Sequence, residues 1–319
     1  MGLLKLRLTI LGTATFLIGL TTLFFTVILT LLGTFNIFLM IGLVVGFNLL
    51  QWYFAPGMIE RMYKAKEISE SGNPWLHSVV SRISTSTKID KPKVMFADIP
   101  IPNAFAYGSP RGGNRIAVTK GLLDILEDEE VEAVIGHELG HLKHRDVQVM
   151  MFASVLPSIF YSIGFSFMLS SFFGGRGRNS GGGIIIGMGA MVAYFILSLV
   201  VMGLSRLREY YADQHAIQHV PDGARKLSEA LAKIVTYSEK ARMNRGRKGQ
   251  VSSAGFKTLL FSDPDSSHKD VAALDRSGLK LSDRQLVHKL ATREMGFRDK
   301  ILELFTTHPN IVKRLKALD

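Results

Sequence analysis

The sequence predicts a mainly α membrane protein, in which four transmembrane helices are joined to a cytoplasmic α+β domain with a small antiparallel sheet. Composition is the first observation: 47% of the 319 residues are hydrophobic, and the mean hydropathy of +0.20 is high for a soluble chain. The second is that three long stretches, 8–59, 147–175 and 179–205, contain no Asp, Glu, Lys or Arg. The third is that the positive charges flanking these stretches lie mostly on one side of the predicted membrane.

The first uncharged stretch predicts two spans. It is interrupted only by GTFN at positions 33–36. Because a helix needs about 20 apolar residues to cross a bilayer, the stretch is long enough for two helices joined by a tight turn. A cleaved signal peptide is the alternative, but the run 8–32 is long for one and lacks a cleavage site made of small residues.

The two later stretches predict a second pair of spans, separated by GGRGRNSGGG at positions 174–183. Buried helices of a large soluble core are the alternative, which the uninterrupted length of the pair disfavours. The positive residues that flank the spans on one side are Lys5, Arg7, Arg61, Lys64, Lys66, Lys143, Arg145, Arg206 and Arg208, whereas the loop on the other side has only Arg176 and Arg178. This asymmetry places both termini in the cytoplasm of a multi-pass plasma-membrane protein.

The predicted domains follow from these spans. They are a first transmembrane hairpin at 1–60, a first cytoplasmic part at 61–146, a second hairpin at 147–205 and a second cytoplasmic part at 206–319. The net charge of +11 raises the possibility of nucleic-acid binding, with ARMNRGRKG at 241–249 as its best support. Basic residues beside spans are already required by topology and by anionic lipids, so we expect a lipid bilayer and no nucleic acid as partner. The absence of cysteine is consistent with a reducing compartment.

The first cytoplasmic part contains both helical and strand patterns. MYKAKEISESG and PWLHSVVSRISTST predict helices, whereas KVMFAD, NAFAYG and NRIAVTKGLL are short β-rich runs separated by Pro and Gly. These runs predict the small antiparallel sheet. The following segment, EDEEVEAVIGHELGHLKH, begins acidic and ends basic, as the helix dipole favours, and Asp124 or Asp128 is the predicted cap.

A candidate metal site lies on that last helix. His137 and His141 are four residues apart, so they project within about 40° of each other and can bind one Zn²⁺. Glu138, about 100° from His137, can take a proton from an activated water without ligating the metal. Gly140 allows another segment to approach closely. The alternative interpretation is a pair of solvated helix histidines.

A third ligand is available after the fourth span. SRLREYYADQHA contains Glu209, which can complete a His₂Glu site, and Asp213, one turn later, which can accept a hydrogen bond from a ligand imidazole. His215 and His219 are rotated away from Glu209 and are predicted to lie on a polar face. His144 is one turn beyond His141, too far to share the ion, and is interpreted as a basic residue near the helix end.

These motifs together resemble the HtpX-type membrane zinc metalloproteases, which are related to the CaaX prenyl endopeptidases. HELGH, then two spans, then EYYAD form the main match, and NAFAYG at 103–108 and THPN followed by KRL near the carboxyl end extend it. The region 245–285 matches nothing. The resemblance implies a zincin-like cytoplasmic protease domain with one Zn²⁺ per chain on His137, His141 and Glu209, and Glu138 as general base.

The resemblance also implies substrate contacts and a biological role. Asn103, Ala104 and Phe105 are expected to lie along an extended substrate, and His308 and Arg314 to help stabilise the transition state. From sequence alone, a helix-start residue before Pro309 is an equally good interpretation of His308. The implied activity is endopeptidase cleavage of misfolded or disordered polypeptides, chiefly membrane proteins, in protein quality control and the stress response.

Two other classes of function remain open at this point. A membrane zinc hydrolase acting on a non-peptide bond would share the metal ligands but would not need a strand that aligns a peptide backbone. A transporter or scaffold with a structural zinc would need four protein ligands, whereas the sequence offers three good ones. Transport would also need ionisable groups within the spans, which have none.

Overall fold

The structure is a computed structural model that describes residues 37–173, 180–246 and 282–319. The first predicted span, at 8–32, and most of the unmatched region 245–285 lie outside the described residues. The chain divides into two compact units. In the described ranges, the first unit comprises 37–53, 148–173 and 180–204, and the second comprises 54–147 together with 205–246 and 282–319.

The elements follow one another in a mainly helical order. The helices are α1 (Ile37–Tyr63), α2 (Pro74–Thr87), α3 (Lys120–Ile125), α4 (Asp128–Lys143), α5 (Asp146–Phe173), α6 (Ser180–His219), α7 (Gly223–Gly246), α8 (Asp283–Ala291), α9 (Phe297–Glu303) and α10 (Ile311–Leu318). The strands are β1 (Lys66–Glu67), β2 (Lys93–Ala97), β3 (Ala104–Ser109) and β4 (Gly113–Thr119).

Two helices among the described residues are long and apolar enough to cross a membrane. They are Asp146–Leu169 within α5 and Gly182–His219 within α6. The two helices contact each other through Tyr161 and Tyr194, whose ring centroids are 5.3 Å apart. The second predicted span falls on α1, where Phe38 is 81% exposed. The described residues therefore support a membrane protein with two candidate spans, and four spans remain a prediction.

The sheet in the second unit is mixed, so the prediction of a purely antiparallel sheet is wrong. Its strand order is β1-β2-β4-β3. β1 pairs with β2 and β3 pairs with β4 in antiparallel fashion, but β2 and β4 are parallel. The reason is that the chain passes from β2 to the far edge of the sheet, forms β3 there, and returns through a hairpin so that β4 lies between them. β3 is consequently an edge strand.

The boundaries of two predicted helices also differ from expectation. The segment MYKAKEISESG contains the end of α1 and the strand β1, because Lys64 has a positive φ of 51° and ends the helix. The cap of α4 is Glu127 rather than Asp124 or Asp128. Its backbone N–H donates to the side chain of Glu130 at 2.8 Å, which satisfies one free donor at the helix start.

Helix α4 is the central element of the second unit. Its apolar side chains, including Val134, Ile135 and Leu139, are completely buried in the main core. Its acidic first turns pair with basic residues of α7; the ion pairs are Glu129 with Arg225, Glu132 with Lys226 and Glu130 with Lys233. These contacts hold α4 in a fixed orientation against α7.

Helix α6 continues well past the end of the predicted fourth span at Ser205. Its last turns cross α4 at two glycines. A Cβ on Gly140 would lie 3.0 Å from both the Cα of Ala212 and the Cβ of His215, and a Cβ on Gly136 would lie 2.7 Å from the side chain of Val220. This close approach, expected at Gly140, brings Glu209 and Asp213 to the histidines of α4.

Candidate metal centre

Two imidazole nitrogens meet at the centre of the site. The Nε2 atoms of His137 and His141 are 3.1 Å apart. The Nδ1 atom of His137 lies 2.8 Å from Asp213 Oδ1, and that of His141 lies 2.7 Å from Asp146 Oδ2. An ionised carboxylate only accepts hydrogen bonds, so its position beside each ring favours the tautomer that carries a proton on Nδ1. Both Nε2 atoms therefore direct lone pairs toward the same point.

Glu209 supplies oxygens to the same point. Its Oε2 is 3.7 Å from the Nε2 of His137, and its Oε1 is 3.7 Å from the Nε2 of His141. Ligand atoms bound about 2.0–2.1 Å from a tetrahedral zinc ion lie about 3.4 Å from each other. The three observed separations bracket this value, so the two imidazoles and the carboxylate fit a zinc ion.

Glu138 lies beside this set. A carboxylate oxygen of Glu138 and one ring nitrogen each of His137 and His141 all lie within 4.8 Å of one another. Proximity alone would therefore also allow Glu138 to bind the metal. However, its Oε2 accepts the backbone N–H of Ala106, on edge strand β3, at 2.9 Å. Burial raises the pKa of Glu138 to about 7. We therefore favour Glu209 as the third ligand and Glu138 as an acid–base group.

Protonation of the first histidine is opposed by its surroundings. His137 is 1% exposed, and burial lowers its pKa to about 4, although Asp213 acts in the opposite direction. Its Nε2 lone pair is therefore available to a cation at neutral pH. Taken together with Glu209, the site is a set of nitrogen and oxygen donors suited to a borderline divalent metal such as zinc.

Arg314 joins the two carboxylates of α6. Its Nε donates to Asp213 Oδ2 at 3.0 Å, its Nη2 donates to Asp213 Oδ1 at 2.5 Å, and its Nη1 is 3.2 Å from Glu209 Oε2. The side chain is only 2% exposed. The adjacent carboxylates raise the pKa of Arg314 despite its burial. A permanent buried cation thus neutralises part of the negative charge and fixes the direction of both carboxylates.

Asp146 was not identified from the sequence. It begins α5, yet it contacts His141 because the chain reverses at Arg145, whose φ is 54°. The other oxygen of Asp146 pairs with Arg208, which also donates to the carbonyl oxygen of His144 at 2.9 Å. The only sequence signal was an aspartate five residues after His141, and a continuous helix would have turned it away from the imidazole.

His308 lies at the accessible side of the site. Its Nδ1 is 3.1 Å from Glu209 Oε1. The side chains of His308 and His141 are 19% and 18% exposed, whereas that of His137 is 1% exposed. Solvent therefore reaches the site at His141 and at His308, and a catalytic metal needs such access for water and substrate.

His144, His215 and His219 form a separate group near the crossing of α4 and α6. The prediction that His215 lies on a polar face is wrong, because it is 4% exposed and its Nδ1 donates to the carbonyl oxygen of Gly136 at 2.8 Å. It is buried where α6 crosses α4. His219 bonds to the carbonyl oxygen of His215, and His144 bonds to that of Gly140. None of the three belongs to the metal-ligand cluster found in the described residues.

The predicted substrate-binding residues lie on or next to the edge strand. The N–H of Asn103 donates to Thr119 Oγ1, and its carbonyl oxygen accepts the N–H of Thr119. Because strand residues alternate in direction, Phe105 also faces β4, whereas the backbone groups of Ala104 and Ala106 point away from β4, where the N–H of Ala106 donates to Glu138. The edge next to Glu138 is thus formed by Ala104 and Ala106.

Comparisons with known proteins identify relatives of this chain. The sequence model of peptidase family M48 matches residues 70–319. A protease HtpX homolog of Thermoplasma acidophilum is 37% identical over 275 residues, which cover 85% of this chain and 81% of that relative. One of Thermoplasma volcanium is 35% identical over 292 residues, covering 91% and 85%. The crystal structure of S. mikatae Ste24p matches with a TM-score of 0.55 at 18% identity, covering 99% of this chain and 67% of that one, which supports the fold alone.

Proposed function

Because this chain belongs to peptidase family M48, we propose that it is a zinc endopeptidase that cleaves disordered segments of membrane proteins at the cytoplasmic face of the membrane. The resemblance to HtpX-type proteases predicted from the sequence is confirmed, and the chain is a metalloendopeptidase of that type. The choice of zinc, the residue roles and the substrate class are the proposal.

One observation supports the metal site most strongly. The Nδ1 atoms of His137 and His141 lie 2.8 Å and 2.7 Å from a carboxylate oxygen, which favours the tautomers whose Nε2 lone pairs face each other at 3.1 Å. Oxygens of Glu209 lie 3.7 Å from each Nε2. Lone pairs and a carboxylate repel one another without a cation between them. A zinc ion there would be held by His137, His141 and Glu209.

The catalytic base is Glu138. A zinc ion held by His137, His141 and Glu209 would supply a positive charge that polarises the scissile carbonyl and lowers the pKa of a bound water. Glu138 then accepts a proton from that water and donates it to the departing amide nitrogen. A pKa near neutrality suits both steps, since the group must first gain and then release a proton.

His308 and Arg314 have different roles in this proposal. His308 is partly exposed beside Glu209, so its ring can donate a hydrogen bond to the substrate oxygen that becomes negative. Arg314 is fully buried behind the ligands and bonds to Asp213. We therefore assign Arg314 the task of positioning Glu209 and Asp213, rather than contacting substrate.

The substrate is proposed to bind as an added strand. β3 is an edge strand, and the backbone groups of Ala104 and Ala106 point away from β4 beside Glu138. The N–H of Ala106 donates to Glu138, and an extended peptide can pair with the backbone groups that remain at such an edge. This arrangement favours disordered polypeptides, since a folded segment cannot offer its backbone. It also favours a peptide substrate over the non-peptide hydrolase considered from the sequence.

The position of Glu209 along α6 supports the proposal that the substrates are membrane proteins. Glu209 lies four residues after the uncharged run 179–205 on the same helix, which is about 6 Å at a rise of 1.5 Å per residue. If that run spans the bilayer, the third ligand lies close to its cytoplasmic surface, where loops of membrane proteins are available.

Proteolysis by the purified protein tests the proposal. The full chain in detergent is incubated with an unfolded polypeptide, with and without a chelator, and its bound metal is quantified. We expect one zinc per chain, cleavage that the chelator abolishes and zinc restores, and no cleavage by Glu138→Gln protein that still binds zinc. Cleavage by that variant would show that the assigned base is wrong.

The substrate preference and the rival functions need separate measurements. A peptide substrate with N-methyl groups at alternate backbone amides should be cleaved far more slowly, because it cannot pair with the edge of β3. Equal cleavage of both peptides would contradict strand addition. Retention of zinc with no peptidase activity, or metal flux in liposomes, would instead favour the structural-metal or transport alternatives.

A further inference from the structure

Helix α9 has an exposed apolar stripe that the metal site does not use. Phe297, Ile301 and Leu304 are 77%, 40% and 50% exposed. Leu304 follows the last residue of α9 as its C-cap, and its backbone dihedral angles are helical. The angular spacing of side chains along α9 therefore also applies to Leu304. At about 100° per residue, the three side chains project within about 60° of each other. Three large apolar side chains in one stripe indicate an interaction surface.

Basic residues flank this stripe. Arg298 lies about 100° to one side of Phe297 and Lys300 about 60° to the other, and both are exposed. The opposite side of the helix faces the protein, where Glu303 is 8% exposed. An apolar stripe between basic residues is the pattern of helices that lie in the membrane interface, with the cations facing anionic headgroups.

The hydrogen bonds that hold the carboxyl end of α9 favour a lipid surface as the partner of the apolar stripe. Arg206 donates through Nη1 to the carbonyl oxygens of Glu303 at 2.8 Å, Leu304 at 3.3 Å and Thr306 at 2.7 Å. Arg206 is the first charged residue after the uncharged run 179–205 of α6. The carboxyl end of α9 is therefore fixed to the point at which the apolar part of that candidate span ends.

We propose that α9 is an interfacial helix, with Phe297, Ile301 and Leu304 inserted at the boundary between the headgroups and acyl chains of the phospholipid bilayer. Arg298 and Lys300 then face the lipid phosphates.

The same segment is bonded to the catalytic region. Thr306 Oγ1 donates to the carbonyl oxygens of Glu303 and His308, and the carboxylate of Glu303 accepts the N–H of Asn310. Contact with lipid on α9 thus helps to fix the position of His308.

Depth-dependent fluorescence quenching tests this proposal. The chain has no cysteine, so a single cysteine at position 297 or 301 can take an environment-sensitive fluorophore. The full-length labelled protein, in a Glu138→Gln background, is reconstituted in phosphatidylcholine liposomes containing brominated phosphatidylcholine. The matched control is Gln218→Cys, an exposed position on α6 that lies 12 residues past Arg206, about 18 Å along the helix.

We expect several-fold stronger quenching at 297 and 301 than at 218. Equal quenching at all three positions would overturn the proposal. Quenching at 297 that disappears on dilution with empty liposomes would also overturn it, because the stripe would then contact a second copy of the chain. Quenching that an added unfolded polypeptide abolishes would overturn it too, because the stripe would then be a substrate surface. The measurement does not depend on proteolysis, so its outcome is separate from that of the proposed function.

Discussion

The Nδ1 atom of His141 lies 2.7 Å from Asp146 Oδ2, and Arg208 pairs with the other oxygen of that carboxylate. His137 is placed similarly, because its Nδ1 lies 2.8 Å from Asp213 Oδ1 and Arg314 donates to both oxygens of that carboxylate. Each imidazole of the proposed metal site is therefore oriented by its own carboxylate, and each carboxylate is held by its own arginine. Such outer contacts fix the ring direction and raise the basicity of the ligand nitrogen.

Replacing Asp146 is expected to weaken metal binding. Asp146→Ala removes the acceptor for His141 and should lower zinc affinity about 10–100-fold, while Asp146→Asn, which keeps an amide oxygen, should cost less. Competition with a chromogenic chelator measures the affinity. Asp98→Asn is the control, because Asp98 is largely exposed. Unchanged affinity in Asp146→Ala would show that the contact does not orient the ligand.

Replacing Arg314 is expected to destabilise the fold. Arg314→Met leaves the buried carboxylates of Glu209 and Asp213 without their cation, which should cost about 3–5 kcal/mol in the chelator-treated protein. Denaturant unfolding measures the loss. Arg82→Met serves as the control, since the ion pair of Arg82 with Glu132 is half exposed and should be worth about 1 kcal/mol or less. Similar losses in both variants would contradict the assigned role of Arg314.

The sequence was most informative where short-range periodicity determines geometry. His137 and His141 share a helix face by spacing alone, and Glu209 precedes Asp213 by one turn on another helix. The meeting of these two helices needed only a close crossing, for which Gly140 was the visible signal. The fold class was likewise largely readable, because uncharged runs and short β-rich segments reflect local patterns.

The rest depended on long-range or strained features that no local pattern specifies. Asp146 reaches His141 only because Arg145 adopts a left-handed conformation, which non-glycine residues rarely take. The parallel pairing of β2 with β4 depends on the order in which strands join the sheet. His215 was assigned to a polar face from its rotation on one helix, but the crossing with α4 buries it.

The raised pKa of Glu138 predicts a pH dependence of stability in the chelator-treated protein. In the unfolded chain this carboxyl ionises near 4.5, whereas in the folded protein burial keeps it protonated up to about 7. The protonated carboxyl therefore contributes about 3 kcal/mol to the free energy of unfolding below pH 4.5, and this contribution is lost as the pH rises through 7. Glu138→Gln keeps an acceptor for Ala106 and should be the more stable protein above pH 7.

Urea unfolding of both proteins across this pH range measures the difference. If the free energies of unfolding of the two proteins change with pH in the same way, Glu138 ionises normally in the folded state. For the zinc-loaded enzyme, peptidase activity should fall as the pH drops through a value at or below 7, because a protonated Glu138 cannot accept a proton from water.

Because α4 and α6 cross closely at Gly140, we expect that a methyl group added at this position moves Glu209 away from His137 and His141. The Cβ introduced by Gly140→Ala would lie 3.0 Å from the Cα of Ala212, a backbone atom that cannot move without shifting α6. Glu209 is on the same helix and should move with it, so we expect about 1–3 kcal/mol of destabilisation and a marked loss of zinc affinity. Gly189→Ala is the matched control, since a Cβ there meets no atom within 4 Å. If Gly140→Ala binds zinc as tightly as Gly189→Ala, the approach of the two helices does not set the geometry of the site.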